Sequence, residues 1–167
     1  RNQAIFDGTA DNNVSSGISS GVDGSAQGNG GDIRLSADSL AVTNGAVLNA
    51  RTNGEGDAGN VIIKVRDSAV FDGVTPNGQF GSGVSSAVEP EAQCMGGNIE
   101  VSANSLEVTN GALLIASTRG MGDAGNVSIE IRDSAIFDGT NPYGHFSSSA
   151  SSTVEASAQG NGCNVDL

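Results

Sequence analysis

Short runs of this chain alternate between apolar and polar residues. Ile33, Leu35 and Ala37 are apolar, for example, and the residues between them are polar. This period of two is typical of a β-strand that buries one face. Asp-Ser and Asn-Gly pairs separate the runs, and such residues favour turns. With 25 glycines among 167 residues, the composition disfavours helices. The chain is therefore predicted to be all-β, with many short strands.

The alternating pattern also repeats at long range. Residues 30–50 return in similar form at residues 96–116, 66 positions later, and residues 31–45 align with residues 59–73 at an offset of 28. A fixed period is typical of solenoids, in which each unit buries its apolar face against its neighbours. We predict a single domain over residues 1–167, a parallel β-helix that is itself a segment of a longer solenoid. It has three short strands per rung and about six rungs, alternately short and long, beginning near residues 31, 59, 97, 125 and 163.

Stacking the rungs predicts three apolar core columns, as expected for a parallel sheet with a buried face. The first contains Ile33, Val61, Ile99, Val127 and Val165. The second contains Leu35, Ile63, Val101, Ile129 and Leu167. The third contains Val42, Val70, Val108 and Ile136, with Ile5 below them.

One corner of the stack is predicted to carry a column of side-chain amides and carboxylates, each followed by glycine. Its members are Asp7, Asn44, Asp72, Asn110 and Asp138. Stacked Asn and Asp side chains can hydrogen-bond between rungs as a ladder. We interpret this column as structural rather than ligand-binding.

Two insertions in the long rungs, residues 74–82 and 140–148, are predicted to form loops at a shared corner. They carry half of the chain's six aromatic residues. Loops on a rigid scaffold often carry recognition, and exposed aromatic rings suit sugar or protein surfaces. The candidate binding residues are Phe80, Tyr143, His145 and Phe146. In the structural alternative, which we favour, the phenylalanines cover an apolar flank of the β-helix.

Charge narrows the choice of partners. The formal net charge is −12, which disfavours nucleic acid and anionic lipid. No apolar run is long enough to span a bilayer, so no membrane insertion is expected. Few lysines and a surface rich in Gly, Ser, Asn and Thr fit a secreted protein.

Cysteines and metal ligands give little functional signal. Cys94 and Cys163 both occupy positions where other rungs have glycine, and their expected separation along the stack is too long for a disulfide. We predict two free thiols. Neither has the spacing of a metal site with His145, the one histidine. We predict no metal site and no cofactor.

Calcium binding, ice binding and catalysis are weaker alternatives. Residues 28–35 resemble the glycine-aspartate repeat of calcium-loaded β-rolls, but Asp32 follows Gly31 directly rather than two residues later, and asparagine replaces it in later rungs. Only weak or adventitious Ca²⁺ is therefore expected. Thr43 and Thr109 are expected to alternate with phenylalanines, which breaks an ice-binding array. The aspartates fall in repeating columns that the fold itself generates, so we predict that the chain is not an enzyme. A polysaccharide-active β-helix enzyme ranks last.

The repeated motifs carry a family resemblance. Each period contains G-[DN]-[IV]-x-[LIV], then x-S-[LA]-x-V-T-N-G-A in one rung, then a GDAGN corner. This resembles the haemagglutinin-type repeats of two-partner-secretion exoproteins, related to filamentous haemagglutinin and including the cyanobacterial type. The resemblance covers essentially the whole chain. It implies a right-handed β-helix, exported through an outer-membrane secretion pore and displayed or released as an adhesin-like fibre.

Two functional classes remain. The chain is predicted to be a structural or adhesive segment of a secreted or cell-surface fibre, acting as a rigid spacer or adhesin stalk. The alternative is a module whose long-rung loops bind a glycan or a protein on a host or neighbouring cell.

Overall fold

The fold is built from β-strands that pair in parallel. The computed structural model describes residues 2–8, 15–90, 92–144 and 147–167, and these contain no helix. The strands form two parallel sheets, an arrangement consistent with a β-helix or similar solenoid. The predicted all-β class and parallel arrangement are therefore confirmed.

The larger sheet collects the strands from two sides of the coil. Its strands are β1 (Gln3–Asp7), β3 (Ile33–Ala37), β4 (Ser39–Thr43), β6 (Val61–Val65), β7 (Ser68–Asp72), β9 (Ile99–Thr109), β11 (Val127–Asp138) and β13 (Val165–Asp166). β9 and β11 run without interruption across a corner that separates β3 from β4 and β6 from β7. Two short strands in one turn therefore correspond to one long strand in the next.

The smaller sheet forms the remaining side and contributes one strand per turn. Its strands are β2 (Gly17–Val22), β5 (Val47–Thr52), β8 (Gly83–Val88), β10 (Leu113–Thr118) and β12 (Ser149–Val154). Their order is β12-β10-β8-β5-β2, so each strand lies between those of the preceding and following turns. Leu48, Val84 and Leu114 from this sheet join Ile63 and Val101 from the larger sheet in one hydrophobic core.

Two predicted core columns are confirmed in register. Ile33 pairs with Val61, Val61 with Ile99, and Ile99 with Val127. The column that starts at Leu35 continues through Ile63, Val101 and Ile129. These eight side chains are all buried. Val165 continues the first column by pairing with Val127, but it is exposed. Leu167, predicted to end the second column, is exposed as well, so neither column is buried at this end.

The third predicted core column is wrong by one residue in alternate turns. Val42 pairs with Phe71 rather than Val70, and Phe71 pairs with Val108. The inward column consists of Phe6, Val42, Phe71, Val108 and Phe137. Ile5, Val70 and Ile136 belong to the neighbouring outward column, with Ala41 and Glu107.

An extra residue at one corner causes this shift. Two residues separate Ala37 from Leu40, whereas three separate their partners Val65 and Ala69. The same shift interrupts the pairing of β9 with β11 after Ile131. The sequence alignment hides this displacement, because Asn44-Gly45 and Asp72-Gly73, which follow the paired strands, still align at the offset of 28.

The corrected register predicts unequal costs for two adjacent truncations. Phe71 is fully buried, whereas Val70 is half-buried on the outer face. Phe71→Ala should lower the free energy of unfolding by about 3–5 kcal/mol, because it leaves a cavity in a narrow core. Val70→Ala should cost less than about 1 kcal/mol. Urea unfolding followed by circular dichroism measures both, and an equal or larger cost at Val70 would contradict the register.

Candidate functional site

The two predicted insert loops leave the stack at the same corner. Antiparallel bridges close them, between Val74 and Gly81 in the first loop and between Thr140 and Ser147 in the second. His145 and Phe146, two of the four candidate binding residues, lie outside the described residues. Of the four candidates, the structure therefore describes Phe80 and Tyr143.

An equivalent serine anchors each loop to the stack. The Ser82 hydroxyl donates to the carbonyl of Asp72 at 2.7 Å and accepts from the amide of Gly45 at 2.7 Å. Ser148 makes the corresponding bonds to Asp138 and Gly111, at 2.7 and 3.0 Å. Each serine thus joins the base of its loop to the turn before it.

The first loop is organised around a buried threonine. Thr75 Oγ1 donates to the Asn77 side chain at 2.6 Å and accepts from the backbone amides of Gln79 and Phe80 at 3.2 and 3.1 Å. Thr75 is almost fully buried. These bonds hold the loop in one shape and present Phe80 at its end.

Tyr143 holds the second loop against the first. Its hydroxyl donates to the carbonyl of Pro76 at 2.9 Å, and its ring lies so close to Gly78 that a Cβ there would overlap the ring. The buried Asn141 adds a bond from Nδ2 to the Gly78 carbonyl at 3.3 Å. One ring face and the hydroxyl of Tyr143 are thus engaged within the protein, although the side chain remains half-exposed.

Phe80 borders a surface groove on the smaller sheet. Its side chain is 55% exposed, and the groove has a volume of about 320 Å³. Leu113, Ile115 and Val47 also line it. Gly83 pairs with both Val47 and Leu113, so a residue without a side chain separates two apolar walls. The arrangement can accept an apolar side chain or the apolar face of a sugar ring.

Charged residues from three successive turns meet at one end of this groove. Arg119 lies 3.0 Å from Glu155 and 3.4 Å from Glu89. The hydrogen bond with Glu155 raises the pKa of Arg119, and the charge of Glu89 adds to the effect. One guanidinium between two carboxylates leaves this end acidic, which disfavours an anionic ligand.

The predicted corner column forms separate clusters rather than one ladder. Asp7 accepts from the Thr43 hydroxyl at 2.6 Å and from Asn44 Nδ2 at 2.7 Å. Asp72 accepts from Thr109 and Asn110 at the same distances. The hydrogen bond from Thr43, with that from Asn44, lowers the pKa of Asp7.

The backbone pairing corrects the composition of that column. Thr43 and Thr109 are the residues paired with aspartates, in the order Asp7, Thr43, Asp72, Thr109 and Asp138. Asn44 and Asn110 stand one residue further on, in the left-handed conformation, with φ of 54° and 53°. The threonines therefore alternate with aspartates, not with phenylalanines as the sequence comparison implied.

A longer ladder lies at another corner, and the sequence analysis missed it. Its members are Asp32, Asn60, Asn98, Asn126 and Asn164. Each side-chain oxygen accepts a hydrogen bond from the backbone amide of the next member, at 2.8–3.0 Å. The recurrence of Asp or Asn just before the first strand of each turn was a visible signal, but it was considered only as an argument against calcium.

Asp32 is the first described member of this ladder. The backbone and side-chain hydrogen bonds from Asn60 lower the pKa of its carboxyl. Arg34 contributes an ion pair at 2.6 Å. The ionised form is therefore favoured in the folded chain.

The remaining chemical groups are dispersed. Cys94 and Cys163 are free thiols, and Cys94 is buried with its thiol near the Gly54 carbonyl. Across the described ranges, no three His, Cys, Asp or Glu side chains are grouped so that they could hold a metal ion. The same residues contain no helix of the length and apolarity needed to cross a membrane.

Comparisons with known proteins do not assign a family. No family model, curated protein or solved structure matches the chain.

The loop contacts predict that Tyr143 contributes to stability. Tyr143→Phe removes the bond to Pro76 and should cost about 0.5–1.5 kcal/mol. Tyr143→Ala also removes the ring from Gly78 and should cost more. Phe80→Ala, which removes an exposed ring from the other loop, is the matched control and should cost less than about 0.5 kcal/mol. Thermal melting of the three variants tests the assignment, and an unchanged melting temperature for Tyr143→Ala would refute it.

The pKa shift of Asp32 predicts a specific loss of stability in acid. Because folding lowers this pKa, its contribution is complete above the ordinary aspartate value of about pH 4. It disappears as the pH falls through the lowered value in the folded chain. Asp32→Asn keeps the acceptor oxygen but does not titrate.

Melting temperatures from pH 7 to pH 2 measure this difference, and comparison with the variant removes the effect of the other carboxyl groups. We expect wild type to be the more stable at neutral pH, with the difference closing below pH 4. A difference that stays constant across this range would contradict the ladder's role.

Proposed function

We propose that this chain is a non-catalytic structural segment of a secreted or cell-surface β-helical fibre, serving as a rigid spacer or adhesin stalk. The observation that carries the proposal is the continuity of contacts from turn to turn. Apolar columns, paired strands and the asparagine ladder run through successive turns. A solenoid of this kind can be lengthened by adding repeats, because each unit contacts only its neighbours.

We infer a right-handed coil with three strands per rung and about six rungs. The succession β3, β4 and β5, followed by β6, β7 and β8, supports three strands per rung. Parallel strands joined by crossover connections are right-handed in about 98% of cases. The resemblance to haemagglutinin-type repeats favours the same hand.

Contacts outside the core support a role that requires stiffness. The asparagine ladder joins adjacent turns, while Tyr143 and Asn141 join one insert loop to the other. These contacts should resist sliding and bending of the turns against each other. A spacer depends on such resistance, since its task is to hold two ends apart.

The resemblance also supplies the proposed route and location. A chain of this type would pass through an outer-membrane secretion pore and act outside the cell. Its net charge of −12 disfavours nucleic acid and anionic membrane surfaces as partners.

A second candidate function is recognition of a glycan or protein through the groove beside Phe80. The exposed ring and the apolar walls formed by Val47 and Leu113 favour this candidate. Tyr143 is less available to a ligand, because its hydroxyl and one ring face already contact the other insert loop.

Changing the number of repeats in the secreted protein separates the two functions. Removing residues 31–96 deletes one 66-residue repeat. Gly30 is then followed by Gly97, the counterpart of Gly31, so the stacking of the remaining turns is kept. The shortened rod should lose about 10 Å, two strand spacings, and duplication of the same residues should add as much. If the segment is a spacer, adhesion in a bead or cell assay should fall in the shortened protein and be kept or rise in the lengthened one. The ligand that is recognised should be the same in all three proteins.

Phe80→Ala provides the opposing test in the same assay. It should leave adhesion, secretion and melting temperature unchanged if the segment is a spacer. Loss of adhesion with a normal melting temperature would overturn the spacer proposal and identify a binding module.

A further inference from the structure

A second corner column combines backbone amides with side-chain oxygens. Its members are Asn29, Asp57, Met95, Asp123 and Asn161. The amide of Asp57 donates to Asn29 Oδ1 at 3.0 Å, and the amide of Met95 donates to Asp57 Oδ1 at 2.9 Å. Further along, the amide of Asn161 donates to Asp123 Oδ1 at 2.7 Å. In each case the side-chain oxygen of one turn accepts from the amide of the next.

Met95 interrupts this column. A thioether carries no oxygen and is only a weak acceptor. Asp123 is the next member, and within the described part of the chain its amide donates no hydrogen bond. The interruption therefore leaves one backbone donor without the partner that its counterparts have.

The Met95 side chain is accessible to reagents. It is 58% exposed, although it is large and apolar. Met121, the chain's other methionine, is 42% exposed and is bridged to Gln93 in the neighbouring turn. Met121 lies outside the interrupted column and so provides an internal comparison.

We propose that Met95 is an oxidation site for peroxides and that its sulfoxide oxygen accepts the free Asp123 amide. The sulfur lone pair attacks one peroxide oxygen, the O–O bond breaks and the sulfur–oxygen bond forms. The sulfur loses two electrons and the peroxide is reduced, leaving as water or an alcohol. The product carries a polar oxygen on a flexible side chain.

Oxidation at this position stabilises the stack. Methionine oxidation usually disrupts a protein by placing a polar group in an apolar core. Met95 is outside the core and stands where Asn29, Asp57 and Asp123 each provide an acceptor oxygen. The sulfoxide oxygen is one bond further from Cα than an asparagine oxygen, a difference that rotation of the side chain accommodates.

Treatment with hydrogen peroxide tests the proposal on two matched variants. Met121→Leu keeps only Met95, and Met95→Leu keeps only Met121, while both retain the two cysteines. Peptide mass mapping locates the added oxygen, and hydrogen exchange reports on the Asp123 amide. In Met121→Leu, peroxide should raise the melting temperature by about 2–4 °C relative to treated Met95→Leu. It should also slow Asp123 exchange by about fivefold.

A third variant tests the interrupted hydrogen bond without oxidation. Met95→Asn restores the residue type found at positions 29 and 161, and it should reproduce both effects without peroxide. The proposal is overturned if Met95 resists a dose that oxidises Met121, or if oxidised Met95 lowers the melting temperature. It also fails if Asp123 exchange is unchanged in oxidised Met121→Leu or in Met95→Asn.

Discussion

The stack depends on close approach of the backbone at one glycine corner. Added Cβ atoms at Gly59, Gly97 and Gly125 would overlap the backbone carbonyl of the matching glycine one turn away. Side chains are therefore excluded at these three positions. This corner immediately precedes the first strand of each turn. It therefore sets the register in which that strand pairs with the strand of the neighbouring turn. The apolar columns and the adjoining asparagine ladder follow from that alignment.

A narrow core is the second consequence of close stacking. The inward column of the larger sheet alternates large and small residues, with Phe71 between Val42 and Val108. Opposite it, the smaller sheet contributes single aliphatic side chains such as Leu48 and Leu114. The large ring of one turn therefore packs between smaller side chains of its two neighbours.

Repetition made much of this architecture predictable, but only where the number of residues between a corner and the next strand is the same in every turn. The columns through Val61 and Ile63 are in the expected register because each follows the glycine corner at a constant distance. The column through Phe71 was misassigned because the Asn-Gly and Asp-Gly pairs after these strands align in the sequence as if no residue had been added at the corner. Because Val70 and Phe71 are both apolar, hydrophobicity alone could not decide which of the two faces the core.

The candidate site was less predictable because its contacts join distant residues. In the sequence, the aromatic residues identified the insert loops, and Phe80 and Tyr143 were both predicted to be binding residues. In the structure, Phe80 borders a groove, whereas Tyr143 reaches a loop 67 residues earlier in the chain. A glycine at position 78 makes room for the tyrosine ring. Neither copy of the loop reveals this asymmetric contact by itself.

The contact between the insert loops has a mechanical consequence. Tyr143 and Pro76 connect turns that are not adjacent, along a line outside the core. Curvature that stretches this edge must pull the loops apart, whereas curvature toward the edge presses them together. In the fibre proposed above, the segment would therefore bend unequally in the two directions, with a stiff side and a compliant side.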